Sequence, residues 1–492
     1  MKDIPQDATP IRLTEPVPLI GAAGPYGDQE MWKRHDPALP DDVVGMAATT
    51  DPAGASTCVT GAEMAFRTWS RWSSDERHSA LKVGLAAVER EQDALARLLA
   101  TEVGKPLREA QLEVKLFLTA IEWFADGFER FRDTSTYTDD TELQVVRRPV
   151  GVTVLVLPWN WPLFQLAGKL VPALLTGNTI IVKPSPLAAL VVGRVIALLN
   201  ETLPPGTVST VLGPVDTTVR TLLTDKRVQF VSFTGSVNTG RAIARLAADG
   251  PTRVVLELGG NDPAILRHDV ELDDRTIISL MQSMFTTTGQ GCQLIKRLLV
   301  HESRHDELVA RLSEGIDNYY RLGHGIDLAT TMGPLVSAAQ RDRVAGLVDD
   351  ACARGGTAFA LGARAEQAYA AGWFHQPTLV VDCPTDAPLV TEEQFGPAVP
   401  LVRFADDNEA IRLANDTTFG LGSSIWSADQ AAAHAMAERI EAGTTYVNNH
   451  NAFAVFRDTA VGGVGESGIG VEWGVEGLME YTRGHIVSTR KR

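Results

Sequence analysis

Five short β-branched runs recur between residues 150 and 260, and they constrain the fold more than any other feature of the chain. They read "VTVLVLP" (152–158), "NTIIVKP" (178–184), "VSTVLG" (208–213), "VQFVSFTG" (228–235) and "TRVVLELGG" (252–260). Their spacing is roughly 25 residues and the intervals look helical, which is the pattern of βαβ units. The expected fold class is α/β with a parallel, doubly wound sheet. Ligands on such sheets bind beyond the carboxyl ends of the strands. That directs attention to Asn160, Lys183, Ser236 and Glu257, each at or just after the end of a run.

The flanks read less sharply. Residues 1–70 look like loops, turns and short strands. Ser73 and Glu76 have capping-box spacing, and Leu81, Leu85, Val88, Leu95 and Leu99 continue one apolar stripe to the "VGKP" stop at 103–106, which predicts a single helix. A second helix is expected over 108–132. A second α/β region begins after 265 and runs to about 440. The tail "EYTRGHIVSTRKR" alternates like an edge strand with no sheet in view, so it is expected to pair with another subunit.

At 492 residues the chain suits two or three domains. No apolar run approaches the ~18 residues that span a bilayer. The N-terminal stretch lacks the apolar core of a signal peptide, and a cytoplasmic location is the expectation. Cys58, Cys292, Cys352 and Cys383 are scattered with no CxxC spacing, so neither a disulfide framework nor a metal is expected. A net charge of −16, spread along the chain, argues against nucleic acid or an anionic membrane as partner.

Six motifs carry candidate chemistry, each with a bland alternative. "TTTGQGCQLIKR" (286–297) sets Cys292 in a Gly/Gln stretch, although a free cysteine is more often buried and inert. "PWNWP" (158–162) locks the backbone around Asn160, as an oxyanion donor requires, or as a packed turn would. "KPSP" (183–186) presents a lysine able to reach ribose or phosphate, or a solvated loop. "FTGSVNTG" (233–240) brings glycines to a helix N-terminus, where a diphosphate binds well. "ELGG" (257–260) offers a general base or an ordinary exposed acid. "EEQFGP" (392–397) offers Glu393 to ribose hydroxyls, or merely to solvent.

In this order, together with "GTTYVNNHN" (443–451) and "GGVGESGIG" (462–470), the motifs resemble the aldehyde dehydrogenase superfamily from about residue 50 to the C-terminus. The resemblance implies three parts. A Rossmann-like doubly wound cofactor domain takes 1–131 and 150–257, and an α/β catalytic domain takes 258–440. A small β flap, 132–149 and 475–492, would join subunits into a homodimer or homotetramer. It implies Cys292 as nucleophile, Glu257 as general base, Asn160 as oxyanion donor and Lys169 as the lysine behind that site. Trp159, Lys183, Ser185, Gly235, Ser236, Glu393 and Phe395 fall on cofactor contacts.

The implied reaction converts an aldehyde to its carboxylic acid with NAD(P)+ through a thiohemiacetal and a thioester. Glu257 favours water over coenzyme A as the acyl acceptor. The rivals are a CoA-acylating relative, a non-catalytic cofactor-binding protein and a cofactor-free thiol hydrolase. Pro186 replaces a carboxylate common in the family, which leaves NADP open; NAD is preferred because no arginine flanks "KPSP". Val461 and Gly465 replace an aromatic and a lysine. Trp161, Phe164, Phe285, Phe453 and Phe456 are candidates for the substrate tunnel. Arg297 is the one arginine near Cys292 in sequence, so an aromatic or medium-chain apolar aldehyde is expected over a charged semialdehyde.

Overall fold

The computed structural model describes residues 9–15, 17, 20–21, 24–25, 31–131, 133–137, 140–450 and 453–490. Of the stretches singled out in the sequence, parts of 1–30, residues 132 and 138–139, Asn451 and the last two residues lie outside it.

All five β-branched runs form strands of one sheet, in the spatial order Arg253–Glu257, Val228–Thr234, Val152–Val156, Thr179–Lys183 and Val208–Thr210, all parallel. The two-residue strand Gly468–Ile469 closes the Glu257 edge in antiparallel fashion. Val152–Val156 is buried along its whole length because both faces are covered. Val152, Val154 and Val156 pack with Ala55, Val59 and Ile243, while Leu155 points into the opposite cluster with Leu163, Leu166 and Leu170. A second sheet runs Thr357–Ala360, Thr378–Val381, Ala398–Phe404, Ile295–His301, Asp262–Leu266, Gly422–Trp426 and Thr444–Val447, parallel except at the first pair.

The structure corrects three expectations. Residues 1–70 are not all loop and short strand: Pro52–Trp69 is a helix, with Asp51 accepting from Gly54 N and Pro52 in its first turn. Pro tolerates that place because the N–H it lacks would have no partner there. The expected single helix from 73 is two, Ser74–Arg90 and Gln92–Val103, broken at Glu91. The Glu91 carboxylate is held by the Arg194 guanidinium, Nε to Oε2 at 2.8 Å. Val88 and Leu95 are seven residues apart and stay in phase, so the apolar stripe hides the break. The C-terminal tail does have a sheet in its own chain: Thr482–Arg490 is the edge strand, antiparallel to Thr141–Pro149, which also pairs with Asp133–Tyr137. The helix expected at 108–132 is Leu107–Phe131, and it packs on Pro162–Leu175.

Candidate active site

The first sheet grows outward from Val152–Val156 in both directions, toward Thr179–Lys183 on one side and Val228–Thr234 on the other. The connections leaving the carboxyl ends of the two central strands therefore diverge, and a crevice opens between them. A cleft of 790 Å³ lies there and extends to the second sheet. Trp159, Asn160, Lys183, Ser185, Gly235, Ser236, Glu257, Cys292, Glu393 and Phe395 all line it. Lys169 does not; it lies fully buried in the helix Pro162–Leu175.

Cys292 sits between the helix Asp274–Phe285 and the strand Ile295–His301, after a tight turn at Thr286–Gly289. That turn holds Thr287 and Thr288 at φ 51° and 58°, unfavourable for β-branched residues. Their surroundings over-determine them. Glu109 accepts from Thr287 N at 2.8 Å, Thr288 Oγ1 donates to Gly333 O at 3.1 Å, and Lys296 Nζ donates to Gly289 O at 3.1 Å. Gly289 has φ 71°, and a Cβ there would meet the Gly396 carbonyl at 2.5 Å. The loop carrying the thiol is thus fixed before any ligand arrives. Burial pushes the Cys292 thiol up to about 12, reinforced by Glu257, Glu393 and Asp262 and opposed by Lys296.

The turn bearing Asn160 is clamped from beneath. Lys105 Nζ donates to Asn160 O at 2.7 Å and pairs with Glu113, both side chains fully buried. The other Glu113 oxygen accepts from Leu163 N and Phe164 N at 2.8 and 3.2 Å, capping the next helix. Asn160 Nδ2 spends one hydrogen on Gln290 O at 2.9 Å. An amide carries two donors, so one remains for the cleft.

Glu257 ends its strand with Oε1 buried and unpaired. Burial raises its pKa well above the carboxylate range, the Glu472 charge adds to that, and Lys169 opposes it. Lys169 Nζ is bound to Glu472 Oε1, which also accepts from Ser232 Oγ at 2.7 Å. Lys169 is therefore spoken for by Glu472.

The crevice end fits a dinucleotide. Lys183 ends its strand with burial lowering its pKa to about 8, and no carboxylate ties its ammonium among the described residues. Ser185 Oγ accepts from Leu187 N at 3.3 Å. Ser236 caps the helix Val237–Ala248, whose first-turn amides favour an anion. A Cβ at Gly235 would lie 2.5 Å from the tip of the Phe233 ring, so a side chain there would have to displace that ring. Glu393 Oε1 accepts from Gly260 N at 2.9 Å, and burial raises that carboxyl to about 7. Phe395, at φ 51°, meets the Trp159 ring edge-on at 5.5 Å.

The aldehyde dehydrogenase family model matches residues 26–487. Betaine aldehyde dehydrogenase of Bacillus subtilis is 34% identical over 421 residues, covering 84% of each chain. The NADP(+) succinate-semialdehyde dehydrogenase of Escherichia coli is 33% identical over 431 residues, covering 86% of this chain and 87% of that one. A crystal structure of Staphylococcus aureus betaine aldehyde dehydrogenase with NAD+ superposes with TM-score 0.89 at 30% identity, over 95% of this chain and 93% of that one. The chain belongs to the aldehyde dehydrogenase family.

For this aldehyde dehydrogenase the tunnel candidates divide. Trp161, Phe164 and Phe456 line the cleft, as do Val461 and Trp473. Phe285 does not: it is buried in the second core, edge-on to Tyr320 at 5.4 Å. Phe453 opens the short helix Phe453–Asp458. Arg297 is no substrate cation, because its guanidinium is buried and bonded to the carbonyls of Asn261, Leu413 and Ala414. Gly465 has φ 61° in a two-residue strand paired with Phe419–Gly420. The lysine that the family often has there would be strained in this backbone.

Sequence reasoning misses Lys105, Glu113, Ser232 and Glu472. "VGKP" reads only as a helix stop, and nothing in the spacing reveals that Glu472 meets a lysine 303 positions earlier.

Proposed function

We propose that this chain oxidises an aldehyde to its carboxylic acid with NAD+, NADP+ serving as an alternative acceptor, and that Cys292 is the nucleophile. One observation carries this reading: the Cys292 thiol, the unpaired Glu257 carboxyl and the Asn160 amide line one cleft that continues into a dinucleotide-sized crevice.

The Cys292 thiol passes its proton to solvent water in the cleft and its sulfur adds to the aldehyde carbon, forming a C–S bond and an oxyanion. The second Asn160 N–H and the Cys292 backbone N–H hold that oxyanion. A bound nicotinamide dinucleotide supplies the hydride acceptor, so that the carbon is oxidised to the thioester level. Lys183, Ser185, Gly235 and Ser236 bind and orient its adenosine and diphosphate, and Trp159, Glu393 and Phe395 its nicotinamide end. Glu257 then takes a proton from water, whose oxygen displaces the Cys292 sulfur and releases the acid. Lys169 keeps a positive charge near Glu257 while remaining paired with Glu472. The buried carboxyl of Glu257 supports water rather than coenzyme A as acceptor.

In the same reading, 1–131 with 150–257 is the cofactor domain, 258–440 the catalytic domain, and 132–149 with 475–492 the flap. Subunits join as a homodimer or homotetramer, which the outer edge of Thr482–Arg490 with exposed Ile486 and Val487 supports. No helix among the described residues is long and apolar enough to cross a membrane. Four free cysteines favour a cytoplasmic home.

The test is turnover of an aldehyde panel followed by reduced-nicotinamide absorbance, with NAD+, with NADP+ and with neither. Turnover is expected only with a dinucleotide and is lost in Cys292→Ala. No dinucleotide reduction with any aldehyde, while p-nitrophenyl acetate is hydrolysed by the wild type and not by Cys292→Ala, would replace this reading with that of a thiol hydrolase.

A further inference from the structure

Gly168 has no room for a side chain: a Cβ there would fall 2.6 Å from Cε2 and Cζ2 of the Trp473 indole. The indole instead occupies the space above this helix position, one residue before Lys169. Trp473 adopts φ 62°, a conformation that a tryptophan holds only under constraint. The constraint is visible. Val461 and Glu472 exchange backbone hydrogen bonds at 2.7 and 2.8 Å just before it, and Gly474 follows at φ 53°. Its ring stacks on Phe164 at 4.4 Å and 23°, with Phe456 edge-on at 5.8 Å. Phe456 is also edge-on to Phe164 at 5.2 Å, and Trp161 edge-on at 6.2 Å. Trp161, Phe164, Phe456 and Trp473 thus form a continuous aromatic wall on the cleft that holds Cys292.

Among the described residues, the charges around this wall are accounted for. Lys169 belongs to Glu472, and Lys105, 4.2 Å from the Trp161 ring centre, belongs to Glu113 and Asn160 O. Of the other cations lining the cleft, Arg241 is bound to Glu466, Arg343 to Glu392 and Glu393 O, and Lys183 lies at the crevice. A carboxylate tail would meet ring surfaces and the acids Glu257 and Glu472. A quaternary ammonium would seek open ring faces, but Phe164 and Trp473 present theirs to each other, and Lys105 already lies over Trp161.

Resting on the reading of the cleft as an aldehyde oxidase, we propose that it selects uncharged aryl and medium-chain alkyl aldehydes, with Trp473 seated over Gly168 as the specificity-determining residue. An apolar body laid on the wall gains by leaving water, and neither kind of charged tail finds a partner there.

The test compares kcat/KM for benzaldehyde and hexanal with that for succinate semialdehyde and betaine aldehyde in the wild-type enzyme with NAD+. Both apolar aldehydes are expected to lead by about tenfold or more. Trp473→Leu and Gly168→Ala are expected to lower the benzaldehyde-to-acetaldehyde ratio of kcat/KM about tenfold, the first by emptying the wall and the second by displacing the indole. Calorimetric binding of benzoate, succinate and glycine betaine to the wild-type protein reads the same wall without turnover, and decides the matter if the variants do not fold. Benzoate alone should bind. Preference for either charged aldehyde, or tighter binding of succinate or glycine betaine, overturns the proposal. Benzoate binding without turnover of any aldehyde would sink the oxidase reading while the apolar wall stood. Turnover of all aldehydes alike, with no benzoate bound, would do the reverse.

Discussion

Replacing Lys105 by Met tests whether the Asn160 turn is held by the buried pair beneath it. The substitution removes the donor to Asn160 O and leaves Glu113 a buried charge without its cationic partner. Breaking such a pair costs about 3–5 kcal/mol, a large part of the ~5–15 kcal/mol that holds a typical domain. Lys105→Met/Glu113→Leu removes both charges and is expected to recover part of the loss, leaving Leu163 N and Phe164 N uncapped.

The catalytic effect has a separate ceiling. If Asn160 donates to the oxyanion, deleting its amide costs about 10²–10³ in kcat, and a displacement of about 1 Å costs about 10²-fold. Both Lys105 variants are therefore expected to lose about 10–100-fold in kcat. The decisive comparison is with Asn160→Ala: if Lys105 acts only through that amide, adding Lys105→Met to Asn160→Ala should cost little more. Melting curves establish which variants are folded, and steady-state kinetics read the rest. A folded Lys105→Met enzyme with wild-type kcat, or full additivity with Asn160→Ala, would refute a positioning role for Lys105.

Further expectations concern charge and fit. With Glu257 as the proposed base, burial and the Glu472 charge oppose its ionisation, so acid release should quicken with rising pH. Glu472→Gln removes the like charge and frees Lys169, and the acidic limb of the kcat profile should move to lower pH; an unmoved limb would exclude Glu472 as the cause. Lys183, lowered to about 8 by burial, gains charge preference beside an anionic dinucleotide, so cofactor binding near pH 8 should take up protons and weaken at higher pH. Calorimetry in two buffers of different ionisation heat measures this, and no uptake would move the lysine away from the phosphates or ribose. Gly289→Ala should lower stability and activity together, since its Cβ would strike the Gly396 carbonyl behind the Cys292 loop. Thermal melting and kcat report the two.

What can be read from the sequence follows from what is local. The five strands carry their own apolar runs and turn residues, and the residues at their ends fall in the crevice because topology leaves them nowhere else. Cys292, Glu257 and Asn160 are nominated by short motifs that fix the backbone around each, and all three line the cleft. Pro52–Trp69 escapes notice although Asp51 and Pro52 mark its start, because its apolar stripe is built largely of small residues such as Ala55, Cys58 and Ala62. The break at Glu91 leaves the hydrophobic phase intact and is fixed by Arg194, more than a hundred residues later. Proximity in sequence nominates Phe285 for the tunnel, yet the helix Asp274–Phe285 turns it into the second core. The Lys105–Glu113 clamp and the Glu472 contact join distant segments, and no local pattern announces them.

The central claim is that the acyl group passes through Cys292 and leaves by way of Glu257. The most direct measurement is the intact and peptide mass of Glu257→Gln after a single addition of aldehyde and NAD+. The expected result is one equivalent of reduced nicotinamide, no steady turnover, and an acyl adduct on the peptide carrying Cys292. An unmodified Cys292 peptide after that burst, or an adduct on Cys352, would contradict it.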